Sequence, residues 1–170
     1  MQNQSKTKNI VTAALFAAII CVTTLFPRIG IGTAGGYIHI GDTFLYLAAS
    51  ILPGPYAMLA GGIGAAMADI LSGSALWALP TLIIKPLMAV CFTSAQKSIL
   101  CRRNFLAPVL AGVICIVGYY LAEALLFWNF IAPLYSVPMG LIQPLASAVL
   151  YMALGAALDK AGMKRRLFGA

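Results

Sequence analysis

The sequence predicts an all-α fold: a polytopic membrane protein built as a compact bundle of six transmembrane helices, with both termini cytoplasmic. Of its 170 residues, 62% are hydrophobic and 9% are charged. Soluble domains are usually about 45–50% apolar and about 25% charged. The apolar residues form long runs, and the basic residues fall between these runs. A soluble fold could not bury so much apolar surface, so we expect one domain, residues 1–170, in a lipid bilayer.

The first half of the chain contains one long span and one short apolar segment. The first span is expected at Ile10–Phe26. The glycine-rich stretch Arg28–Gly41 is expected to be a loop, because glycine permits positive φ and close backbone approach. The segment Asp42–Leu52 is too short to cross a hydrocarbon core that requires about 20 residues. It therefore either begins nearer Gly36 or has its outer end recessed inside the protein.

Four further spans are separated by breaks rich in proline, glycine or basic residues. They are expected at Tyr56–Leu71, Leu79–Ala95, Phe105–Phe130 and Met139–Leu158. A basic loop separates the fourth span from the fifth, and a basic tail, Asp159–Ala170, follows the sixth.

The basic residues predict the orientation. With six spans, three basic clusters fall on one side, and the positive-inside rule makes that side cytoplasmic. The clusters are Lys6 and Lys8; Lys97, Arg102 and Arg103; and Lys160, Lys164, Arg165 and Arg166. The net charge of +7 thus indicates topology, and no basic-aromatic module for nucleic acid is present. The expected location is a cell membrane, crossed several times.

Motifs for catalysis, metal binding and nucleotide binding are absent from the sequence. There is no GxSxG or HExxH pattern and no GxxxxGK[ST] phosphate loop. The four cysteines show no CxxC spacing, and His39 is the single histidine. We therefore expect no enzymatic activity, no catalytic residues, no cofactor and no metal site.

Costly polar side chains lie within or beside the spans, in the outer half of the bundle. Such residues are typical of a ligand site or of a buried salt-bridge network, and the sequence leaves both open. Lys85 lies about two turns into the fourth span. Its charge requires compensation by the carboxylate of Asp69 or Glu123, or by an anionic ligand group. The expected substrate-binding residues are Tyr37, His39, Asp42, Asp69, Trp77, Lys85, Glu123 and Gln143.

Prolines follow two of these residues at similar depths. Pro86 comes after Lys85, and Pro144 comes after Gln143. A proline inside a helix leaves the carbonyl four residues earlier without its donor. We therefore expect free carbonyl oxygens at the level of the site. The tryptophans also suit a membrane-interface belt.

Small residues recur at helical spacing in two spans. Such stripes allow helices in lipid to approach closely. In the third span we expect internal packing, whereas the first span suits either internal packing or a partner helix. The stripes are Ala13 with Ala17, Ala14 with Ala18, and Ala60, Gly64 and Ala68.

Three stretches together resemble a known family. They are AALFAA in the first span, the long segment GGYIHIGDTFLYLAASILPGPYAMLAGGIGAAMADILSG, and WALPTLIIKPL after it. These stretches resemble the S components, the substrate-binding subunits, of energy-coupling factor (ECF) transporters. The likeness is closest to the branch of riboflavin, hydroxymethylpyrimidine and vitamin B6 carriers. It covers about the first two-thirds of the chain, and the last two spans match only in length and topology.

The resemblance implies a six-helix, non-catalytic subunit that binds a small water-soluble vitamin at its outer face with high affinity. It implies docking on a membrane scaffold subunit driven by two cytoplasmic ATPases. It also implies that Ala13, Ala14, Ala17 and Ala18 contact that scaffold. The alternatives are an autonomous proton-coupled transporter using Asp69 and Glu123, an intramembrane enzyme, and a structural assembly subunit.

Overall fold

The computed structural model describes residues 2–31, 36–135 and 137–168. Helices dominate this part of the chain, with one β-hairpin after the first helix and two 3-10 turns. The helices and strands are α1 (Gln2–Leu25), β1 (Arg28–Ile31), β2 (Gly36–His39), α2 (Gly41–Ile51), α3 (Gly54–Leu71), α4 (Ala78–Val90), α5 (Arg102–Leu126), α6 (Val137–Gly140), α7 (Ile142–Lys160) and α8 (Met163–Phe168).

The hairpin corrects the prediction of an irregular loop between α1 and α2. β1 and β2 pair antiparallel, with Arg28 opposite His39 and Ile31 opposite Gly36. Isoleucines recur at every second position, Ile29 and Ile31 in β1 and Ile38 in β2 with Ile40 just after it, and β-branched side chains favour extended backbone. The glycines in the same stretch favour a loop, and the prediction followed the glycines and not this alternation. The all-α prediction is therefore right for the described chain apart from this hairpin.

Three helices in the described part of the chain are long enough and apolar enough to cross a membrane. They are the stretch Lys6–Leu25 within α1, the whole of α5 and the whole of α7. α3 and α4 run for 18 and 13 residues. The outward side of α5 is strongly apolar: Leu106 is 62% exposed and Val109 is 67% exposed. Such exposure suits contact with lipid. That six segments cross the membrane, with both termini cytoplasmic, stays a prediction.

α2 is a short helix enclosed by its neighbours. It spans 11 residues, and nearly all of them are buried. It begins at Gly41, so the second of the two sequence alternatives, a recessed outer end, matches the structure. A Cβ at Gly41 would collide with the hydroxyl of Thr24 on α1. Glycine is therefore required where the hairpin turns into α2.

The small-residue stripe of α3 packs inside the bundle, as predicted. Ala60 and Ala68 are buried, and a Cβ at Gly64 would lie 2.5 Å from the carbonyl oxygen of Ala17. The backbones of α1 and α3 therefore approach closely at this point. On α1 itself, Ala13 and Ala17 are half-buried, whereas Ala14 and Ala18 are exposed.

The two site prolines occupy different kinds of position. Pro86 lies inside α4, where its ring packs beside Gly62 of α3. Pro144 lies in the first turn of α7. A proline there removes no helical hydrogen bond, because first-turn N–H groups have no intrahelical acceptor. The prediction of a freed carbonyl before Pro144 is therefore wrong.

The basic loop and tail are tied together at the predicted cytoplasmic end. Asp159 accepts hydrogen bonds from the backbone N–H groups of Ile99 and Leu100, at 2.7 and 3.0 Å. Lys164, on α8, is 4% exposed. Its ammonium donates to the carbonyl oxygens of Ser50 and Gln96, at 2.9 and 2.6 Å. The tail is thus an ordered part of the fold.

The close approach of α1 and α3 predicts that Gly64→Ala destabilises the protein. The added methyl group would overpack the interface, which costs about 1–3 kcal/mol. Thermal and denaturant unfolding in detergent would measure this loss. Gly54→Ala is the matched control, because a Cβ at Gly54 would have no atom within 4 Å. Equal effects of the two substitutions would contradict the packing argument.

Candidate functional site

Asp42 is the centre of a buried polar network that joins three helices. Its Oδ1 lies 2.6 Å from the Lys85 ammonium, and the two side chains are 2% and 1% exposed. Its Oδ2 accepts a hydrogen bond from the Gln143 amide at 2.6 Å. Both carboxylate oxygens are thus bonded, as a buried charge requires. The network connects α2, α4 and α7.

The hairpin reaches the network through His39. The imidazole Nδ1 accepts a hydrogen bond from the backbone N–H of Gly41 at 3.0 Å. The Nε2 atom lies 3.3 Å from Nε2 of Gln143. Burial lowers the pKa of His39 to about 4, against the opposing pull of the Asp42 charge. The imidazole is therefore neutral at neutral pH.

An aromatic group adjoins the network on the Lys85 side. The Lys85 nitrogen lies 5.3 Å from the ring centre of Tyr119, within cation–π range. The Tyr119 hydroxyl is hydrogen-bonded to Thr81 Oγ1 at 2.9 Å. The ring of Trp77 lies 6.0 Å from that of Tyr119. Cation, hydroxyls and two aromatic rings thus occupy one region.

Sequence analysis missed Tyr119 and Thr81. A signal for both existed in the spacing. Thr81 lies one helical turn before Lys85, and Tyr119 lies one turn before Glu123, so each shares a helix face with a residue already singled out. An aromatic and a hydroxyl within an apolar run were too ordinary to attract attention alone.

The partner of Lys85 also differs from the prediction. We expected Asp69, Glu123 or a ligand to compensate the ammonium, and the structure shows Asp42 instead. Asp42 lies three positions after the hairpin ends and is the first residue of the predicted second segment. The recess of α2 carries it inward to the depth of Lys85. The sequence offers no measure of that recess.

The remaining predicted site residues lie at different distances from the network. Trp77 is 8% exposed and faces Tyr119, so it is not part of an exposed interface belt. Asp69 and Glu123 are buried on α3 and α5, at 5% and 9% exposure. Tyr37 lies in β2 opposite Gly30, and its side chain lies outside the described residues. In the described ranges no group of three His, Cys, Asp or Glu side chains could hold a metal ion.

The ion pair predicts that Lys85→Met strongly destabilises the protein. The substitution would leave the Asp42 carboxylate buried without its cation, a loss of about 3–5 kcal/mol. Lys85→Met combined with Asp42→Asn should recover part of it, because the buried charge is gone. Unfolding in detergent measures both, with Lys160→Met, at an exposed position, as control. A double variant no more stable than Lys85→Met would refute the pairing.

Comparison with known proteins identifies the family. A family model described as ECF-type riboflavin transporter, S component, matches residues 4–160. A protein of Pyrococcus woesei, described as "Uncharacterized protein in gap 3'region", is 31% identical over 144 residues, covering 83% of this chain and 95% of that protein. The family match includes the hairpin, α2, α4 and α7, which build the polar network. The chain therefore belongs to the ECF-type riboflavin transporter S components, a family of membrane-embedded vitamin-binding transporter subunits.

Proposed function

We propose that this protein binds a flavin-type vitamin, riboflavin in the first place, and delivers it for ATP-driven uptake. The observation that carries the proposal is the match of a riboflavin-branch family model across residues 4–160. The site residues supply a chemistry that suits such a ligand. Vitamin sites of this kind are mostly apolar, with a few polar anchors.

The side chains beside the network suit a planar ligand with ring oxygens, and they are Trp77, Tyr119 and Lys85. The two aromatic rings provide faces and edges for a fused ring system. An ammonium has three N–H donors, and the described residues accept one hydrogen bond from Lys85, at Asp42. The other donors are available to a carbonyl or hydroxyl oxygen of the vitamin. Asp69 and Glu123 add carboxylates on the neighbouring helices for hydroxyl groups.

Titration of the purified protein with riboflavin, pyridoxine and hydroxymethylpyrimidine tests the ligand. We expect riboflavin to bind most tightly in isothermal titration calorimetry. Trp77→Leu should weaken that binding by at least about 0.5–1.5 kcal/mol, the contribution of an aromatic pair beyond its buried area. Trp128→Leu is the matched control, because Trp128 is 85% exposed.

Two results would count against this assignment. Tighter binding of pyridoxine or hydroxymethylpyrimidine would replace riboflavin with that vitamin. Equal losses for Trp77→Leu and Trp128→Leu would remove Trp77 from the site.

The exposed alanines of α1 support a docking surface for the scaffold subunit. Ala14 and Ala18 lie one turn apart and are exposed, while Ala13 and Ala17 face inward more. Small residues at this spacing let a partner helix approach its backbone closely. In this proposal two cytoplasmic ATPases drive uptake across a bacterial plasma membrane. The basic clusters face those ATPases, with both termini on that side.

Ala18→Trp tests this surface, because a bulky side chain would hold the partner helix away. We expect loss of copurification with the scaffold subunit and loss of uptake. Vitamin affinity of the isolated protein should be unchanged. Val109→Trp, at an exposed apolar position of α5, should leave assembly intact. Normal assembly of Ala18→Trp would exclude this stripe as the interface.

A further inference from the structure

Two helices carry polar residues at matching intervals through the buried interior. Residues four apart share a helix face, so each helix presents a row of three polar side chains. The row on α2 is Asp42, Tyr46 and Ser50, and the row on α7 is Gln143, Ser147 and Tyr151. All six residues are buried.

The first and last pairs of the rows are hydrogen-bonded across the two helices. Gln143 donates to Asp42, and the two residues are 101 positions apart in the sequence. The hydroxyls of Ser50 and Tyr151 lie 2.8 Å apart, and these residues are also separated by 101 positions. A constant separation means that α2 and α7 run in the same direction and in register.

The middle pair follows the same register and lacks this bond. Tyr46 and Ser147 are likewise 101 positions apart, and both are 0% exposed. Neither hydroxyl has a hydrogen-bond partner in the part of the chain that the structure describes. Buried hydroxyls are nearly always bonded to protein or to ordered water. The register of the flanking pairs places the two residues at one level of the α2–α7 interface, where their hydroxyls can share a partner.

We propose that the Tyr46–Ser147 level binds an ordered water molecule that bridges the two hydroxyls. The phenol of Tyr46 is held in place, because its ring stacks on Phe92 at 4.9 Å and meets the edge of Tyr151 at 5.9 Å. Thr43 offers a third partner. Its hydroxyl lies 3.3 Å from the carbonyl oxygen of Ser147, to which it donates, and keeps its own lone pairs. A buried water typically makes about three hydrogen bonds.

This water makes the polar interface between α2 and α7 continuous. On the outer side it adjoins the Asp42 network. On the inner side the Ser50 hydroxyl donates to the carbonyl of Tyr46 at 2.8 Å, and the Ser50 carbonyl accepts from Lys164 at 2.9 Å. The path then runs from the proposed vitamin site to the predicted cytoplasmic end. The inference depends on the helix register and stands whichever vitamin binds.

A double-mutant cycle tests the bridge. Tyr46→Phe and Ser147→Ala each remove one hydroxyl, and each should lower the melting temperature in detergent by about 2–4 °C. The double variant should lose less than the sum, because both changes disrupt the same water. Tyr120→Phe with Ser147→Ala is the control pair and should be additive, because the Tyr120 hydroxyl donates to the Phe130 carbonyl at 2.9 Å.

Either single variant melting higher than the wild type would overturn the proposal, since removing a truly unbonded hydroxyl relieves a burial penalty. Additive losses would overturn it as well. A high-resolution structure of the unaltered protein tests for the water molecule directly, without any variant. We expect an ordered water within hydrogen-bond distance of both hydroxyls. A direct bond between the two hydroxyls, or density for neither arrangement, would refute the water site.

Discussion

The Asp42 carboxylate sits where neither water nor lipid can solvate it, and the bundle is arranged around that fact. A buried anion is tolerated only when a cation and hydrogen-bond donors surround it. α4 supplies the cation through Lys85, and α7 supplies an amide through Gln143. The hairpin adds the neutral ring of His39 beside that amide. Three helices, α2, α4 and α7, must therefore be in place before the charge is satisfied.

The short length of α2 makes this arrangement possible. A helix that crossed the whole bilayer would place its first residue at the membrane surface, where a carboxylate needs no partner. α2 has 11 residues and begins within the bundle, with the hairpin above it. Gly41 permits the tight contact with α1 at that junction. The polar chemistry of the site is thus a consequence of helix length and of one glycine.

Much of the polar network was predictable, because polar residues in or beside apolar runs are costly and therefore informative. Lys85, Asp42 and Gln143 stand out in this way, and His39 stands out as the single histidine. The resemblance to ECF S components is confirmed by the family match. The pairing of Lys85 was not predictable, since it depends on how far α2 is recessed. The hairpin was missed because the glycines between its strands concealed a short alternating pattern.

The burial of Lys164 has a consequence for the order in which the protein is completed. Its ammonium bonds to the carbonyl of Ser50, a residue made 114 positions earlier. During synthesis the carboxyl end of α2 therefore waits for a donor until most of the chain has left the ribosome. Until then the Ser50 carbonyl, in the last turn of α2, lacks this buried donor, which disfavours early closure. Final consolidation of the bundle is thereby delayed until α8 docks.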